Sequence, residues 1–120
     1  MGYDINPHAM RHDKSLIQFG YDAVTAFDVV EHMANPHTFA SSLNTRYLIV
    51  LVPDATALKG DFSGWKHYRP DEHQHYFTQE SLTRFMERSG FKVREMNRDE
   101  GKLRDPKHPG WLVTCVGERA

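Results

Sequence analysis

The sequence has almost no cysteine. Cys115 stands alone, so no disulfide can close within the 120-residue chain, as suits a reducing cytosol. It has no long hydrophobic run either. The longest, residues 47–53, is far too short to cross a bilayer, and no signal peptide opens the chain, which points to a cytoplasmic protein. Nor is there an excess of charge. Fifteen Lys and Arg stand against sixteen Asp and Glu, a formal net charge of −1, which gives no general reason to expect membrane or nucleic acid as a partner. Internal repeats and low-complexity tracts are absent. What is present is ordinary globular material, 39% hydrophobic and 26% charged, enough for a single domain over residues 1–120 with one core.

Period and punctuation alternate between strand and helix. Residues 1–5 read as a short strand closed by Asn6-Pro7, and residues 7–17 as a helix with Asn6 as its cap. Residues 23–27 form a short apolar run with β-branched members, the pattern of a buried parallel strand. A helix over 36–43 follows, with Asn35 as its cap. The clearest strand is RYLIVLV, residues 46–52, apolar throughout and therefore central; Pro53 ends it. Residues 54–77 make a long, histidine- and aromatic-rich connection of the kind that is usually functional. The next helix is well marked: Thr78 caps it, Leu82, Phe85 and Met86 form its apolar stripe, and Gly90 stops it. Two strands, 91–97 and 111–116, close the chain, joined by a polar excursion over 98–109. The order predicts an α/β fold with a mostly parallel sheet and a C-terminal antiparallel pair. Ligands of such sheets sit beyond the carboxyl ends of the parallel strands, here residues 4–6, 27–32 and 52–54.

At those ends Asp4 can accept both hydroxyls of a ribose, or can cap the turn that follows. Asp28, Glu31 and His32 can form a pocket wall, or serve as first-turn acids of a helix. The densest cluster is residues 65–77. There Glu72 and His73 can act as an oriented general base, the carboxylate fixing the imidazole. His73 and His75 could instead face a metal, although the supporting ligand pattern of a zinc site is missing, so no metal is assigned. The structural alternative is a polar loop tied down by Trp65, Tyr68, Tyr76 and Phe77. His8, His12, His37 and His108 read as solvated surface residues. Arg94, Arg98, Lys102 and Arg104 read as a solvated basic face, and Cys115 as buried and inert.

Three segments together resemble one family. Tyr21-Asp22-Ala23-Val24-Thr25-Ala26-Phe27-Asp28-Val29-Val30-Glu31-His32 is similar to the fourth strand of class I S-adenosylmethionine (SAM)-dependent methyltransferases. Leu48 to Pro53 is similar to their fifth strand and its terminal proline, and the stretch from Lys66 through Glu72-His73, Phe77-Thr78 and Leu82 to Gly90-Phe91 resembles the H…P.EH…F…L…GF stretch of the members acting on sugars and small molecules. Tyr3-Asp4-Ile5-Asn6-Pro7 resembles the end of the second strand. Short methyltransferase-like proteins, many of them phage-encoded, are similar over nearly the whole chain. The resemblance implies a truncated Rossmann-like fold with SAM as methyl donor. Asp4 would bind its ribose, Phe27 and Asp28 would line the cofactor pocket, and Glu31 and His32 would sit at its edge. Glu72 and His73 would face the acceptor, with His73 as base.

The family's glycine-rich turn and third strand have no counterpart in this sequence. Two functions follow from that. One is methyl transfer to a small-molecule or sugar-like acceptor. The other is a catalytically incomplete relative acting as a binding or regulatory module. If residues 1–5 pair beside 23–27, the sheet exposes an edge that a second copy or a complementing protein could cover.

Overall fold

The computed structural model describes residues 20–56, 65–67 and 75–120. The expected strand over 1–5, the helix after Pro7, Asp4, Tyr68, Glu72 and His73 lie outside the described residues, and so does the expected exposed edge.

Four strands form one sheet. β1 (Tyr21–Phe27) runs parallel to β2 (Thr45–Pro53), with Ala26 opposite Val50. The crossover between them carries a 3₁₀ turn (Val30–His32) and helix α1 (Pro36–Ser42). Proline suits the first turn of α1, where its missing N–H has no bond to make, and the Asn35 side chain accepts from Thr38 N–H at 3.2 Å. After β2, helix α2 (Gln79–Arg88) is closed at its start by a reciprocal cap. Thr78 Oγ1 accepts from Ser81 N–H, and Ser81 Oγ accepts from Thr78 N–H. It stops at Gly90, whose φ of +93° is costly for any residue with a Cβ.

Strand β3 (Phe91–Asn97) then leads into a helix that the sequence did not announce, α3 (Asp99–Arg104), and so to β4 (Leu112–Arg119). The excursion over 98–109 is therefore a folded element, not a plain connector. Its period was hidden by length: at six residues α3 is too short to show a repeating apolar stripe.

The sheet order is β1-β2-β4-β3, and β4 is antiparallel to both of its neighbours. The final pair is antiparallel as expected. Because β4 slots between β2 and β3, however, β3 points the same way as β1 and β2. Three strands thus end at one edge of the sheet, at Phe27, Pro53 and Asn97, and β4 begins there at Leu112.

Alternation along the strands sorts the two faces. Leu48, Val50 and Val52 of β2, with Val113 and Cys115 of β4, meet Ala40 of α1 and Leu82, Phe85 and Met86 of α2 in one core. Gly117 lets this layer close, since a Cβ there would run into Met86 and Phe91. On the opposite face α3 lies against β4, with Gly101 close to Leu112. Burial holds the Cys115 thiol up at about 12, which leaves it protonated and unreactive.

Candidate functional site

The three converging strand ends bring polar groups together at the edge where α1 and α3 start. Asp28 follows β1 in the left-handed region, φ +58°, an unfavourable setting for an aspartate that aims its carboxylate across the edge. Its Oδ2 lies 2.8 Å from Arg104 of α3. Asp54, fully buried just past β2, accepts from Thr56 N–H at 2.8 Å and from the Arg98 guanidinium at 2.5 Å. Arg98 also donates to the Gly110 carbonyl, and Asp54 N–H to that of Trp111. Helix α3 is thereby buttoned onto the ends of β1 and β2 by two arginine–carboxylate pairs.

The reading of a solvated basic face holds for Arg94, Lys102 and Arg104, which are exposed, and is corrected at Arg98, which is half-buried against Asp54. Arg98 and Arg104 hold site carboxylates, Arg94 pairs with Glu118 at 2.8 Å, and Lys102 lies 3.8 Å from Asp99. The sequence hid the partners because each lies 24 to 76 residues away or across the fold, except for Lys102 and Asp99. His108 is corrected too. It is half-buried, stacked on Trp111 at 3.6 Å between centroids, and 3.3 Å from Asp105. Lys66 pairs with the same Asp105, and the Lys66 ammonium, with help from His108, holds that carboxyl below its usual range. His67 meets Trp111 edge-on, and Trp65, nearly fully buried, packs against both His67 and Tyr76. The aromatics of the 65–77 segment do anchor it, at the described residues. His37 is exposed as expected, although its ring reaches Ser89.

Glu31 is the most unusual group here. Its side chain is 1% exposed, and neither carboxylate oxygen has a hydrogen-bond partner among the described residues. His32 Nε2 comes within 3.3 Å of it, close enough for attraction but without hydrogen-bond geometry. Burial, and then the neighbouring Asp28 charge, push Glu31 up to about 8; its own backbone N–H and Arg104 pull the other way. At neutral pH it therefore holds a proton for most of the time. The Glu31 carbonyl accepts from His75 N–H at 3.2 Å, which fixes the end of the histidine-rich segment beside it. Phe27 completes the group as a ring left 42% exposed at the end of β1.

The structure thus brings together Phe27, Asp28, Glu31 and His32 of the expected residues. Among the described residues no cluster of His, Cys, Asp and Glu is arranged to hold a metal ion. Arg98 and Arg104 were not foreseen as site residues; Asp54 lies in the strand end 52–54 expected to face a ligand, but no role of its own was expected for it.

A family model described as a methyltransferase domain matches residues 1–96. The chain belongs to the methyltransferase domain family. SAM is the methyl donor that membership of this family implies. No curated protein matches the chain. Among solved structures it is similar to the Haloferax volcanii complex of the Trm112 methyltransferase activator with a methyltransferase. There the TM-score is 0.61 and the identity 12%, over 83% of this chain and 54% of that one. It is also similar to magnesium protoporphyrin IX methyltransferase from Synechocystis with bound SAH, at TM-score 0.58 and 16% identity, over 88% of this chain and 48% of that one. A Thermotoga maritima SAM-dependent methyltransferase aligns at TM-score 0.56 and 18% identity, over 82% and 56% of the two chains. At these identities the likeness is one of fold, and the chain spans about half the length of the structures it matches. No helix among the described residues is long and apolar enough to cross a membrane.

Proposed function

We propose that this methyltransferase-family domain binds SAM at the converging ends of β1 and β2 and transfers its methyl group to a small-molecule or sugar-like acceptor. The observation that carries the reading is the edge itself: Phe27, Asp28 and Glu31 meet where a parallel sheet of this family presents its ligand. Their chemistry fits the donor. A half-exposed ring at Phe27 offers a face to a flat base, and the Asp28 carboxylate offers negative charge to a cationic centre. Asp4, by the family resemblance, holds the ribose. When bound, SAM supplies an already electrophilic methyl group, so the work left to the chain is alignment and proton handling.

For alignment, α3 matters most. Arg104 and Arg98 fix the carboxylates of Asp28 and Asp54, and so the ends of the two strands that face the donor. For the proton, the reading assigns His73 as base for a hydroxyl acceptor, with Glu72 orienting it. The anchoring of His75 beside Glu31 supports this, because it brings the segment two residues after His73 to the site. Glu31 and His32 stand at the pocket edge. The alternative is a methyltransferase relative that acts as a binding or regulatory module without catalysis.

Calorimetric titration of the chain with SAM, beside Asp4→Ala and Phe27→Ala, separates the two. The catalytic reading expects binding at roughly micromolar strength that weakens at least tenfold in either variant. No heat from the wild type at millimolar SAM would leave the binding-module reading standing.

A further inference from the structure

A second feature opens beside this edge and is used by none of the roles above. Between α1 and α2 runs a groove of about 700 Å³, lined by His37 of α1, by His75 and Phe77, and by Arg84, Phe85 and Arg88 of α2. Its floor is apolar, from Phe77 and Phe85, whose rings lie 5.7 Å apart. Its rim is cationic. Arg84 and Arg88 sit four residues apart and so lie on one face of the helix. Among the described residues Arg84 pairs with Glu80 alone, an exposed neighbour on its own helix, and surface pairs of this kind are weak and easily exchanged. Arg88 forms no ion pair among the described residues. On the inner wall the His75 ring nitrogen Nε2 is buried and has no hydrogen-bond partner among the described residues, an arrangement that costs free energy unless something binds there. Among the described residues no carboxylate lines the groove.

We propose that this groove binds an oxyanion, phosphate or carboxylate, carried on an apolar body. The apolar part lies along Phe77 and Phe85, Arg88 and Arg84 take the charge, and His75 Nε2–H donates to the ligand from within. The groove reaches the candidate site through His75, whose backbone is bonded to Glu31. The anionic group it holds is therefore that of the methyl acceptor, an assignment that rests on the methyl-transfer reading. The acceptor class narrows accordingly to small molecules bearing a phosphate or carboxylate next to an apolar portion. Guanidinium forks match both oxyanions, so the shared chemistry is the claim.

The test uses the full chain, labelled with ¹⁵N, titrated in turn with hexyl phosphate, hexanoate, hexanol and inorganic phosphate. The expected result is saturable shifts at Arg88, Phe85 and His75 with hexyl phosphate or hexanoate. Hexanol and inorganic phosphate should each bind at least tenfold more weakly. Arg88→Gln and Arg84→Gln, both at exposed positions, should each raise the dissociation constant about tenfold, and added salt should weaken binding further. Shifts that map elsewhere, hexanol binding as well as hexyl phosphate, or indifference to both variants would overturn the site. The preferred anion tells a phosphate-bearing ligand from a carboxylate-bearing one. The same samples are then titrated with SAM. Groove binding without any SAM binding would overturn the acceptor assignment while the oxyanion site stands. SAM binding with a silent groove would overturn the groove alone.

Discussion

The helix-covered face of the sheet and its C-terminal edge are built on opposite terms. On the face, Leu48, Val50, Val52, Leu82 and Met86 are fully buried and apolar, and every one of them gains from leaving water. At the edge, within a few residues of the same strands, two carboxylates are equally buried. Asp54 is compensated by Arg98 and by backbone and side-chain donors, whereas Glu31 has no hydrogen-bond partner among the described residues. The face stabilises the fold, and the edge draws on that stability to keep a carboxyl group in an abnormal protonation state. This contrast sets the edge apart from the face, since stability alone does not favour a buried acid with no hydrogen-bond partner among the described residues.

The largest expected effect is at Glu31. Its folded pKa lies above the unfolded value, so the folded state binds the extra proton between about 4.5 and 8. Its contribution is therefore least unfavourable at acid pH, and stability falls as pH rises through that window. Glu31→Gln, neutral at every pH, should remove the fall. Urea unfolding should show the variant little changed at pH 5 and roughly 4 kcal/mol more stable than wild type at pH 9. A parallel fall in both proteins would mean that Glu31 carries an ordinary pKa.

Leu82→Ala is the counterpart on the face. It should cost roughly 3 kcal/mol at any pH, because a cavity has no charge to titrate. A pH-dependent loss would erase the distinction between the two regions. Arg98→Ala sharpens the comparison within the edge, since it leaves Asp54 buried with weaker partners. A loss of roughly 2 kcal/mol is expected, below that of a fully enclosed pair because Arg98 is partly solvated. The same variant should weaken SAM binding if α3 positions the strand ends, which a purely structural strut far from the ligand would not do.

Local signals carried much of the fold. Asn35 before a proline, Thr78 before an apolar stripe, Gly90 after it and the unbroken RYLIVLV run each act within a turn or a strand, and each stands where it was read. The family-bearing residues Phe27, Asp28, Glu31 and His32 were legible for a related reason: they lie in one contiguous stretch, so one strand end delivers them together. Helix α3 was not legible, because six residues are too few to display a period and its stability comes from docking on Leu112 and on two distant carboxylates.

The sequence by itself determined the α/β order, the central strand, the caps and the family. Each of these depends on neighbours along the chain or on a pattern that survives without the fold. Only the tertiary structure decided which charges meet. Asp54 with Arg98, Asp28 with Arg104, and the burial of Glu31 are set by where β4 slots into the sheet and by how α3 folds back over its edge. Electrostatics and desolvation act through space, and the distances that govern them do not exist until the strands are paired.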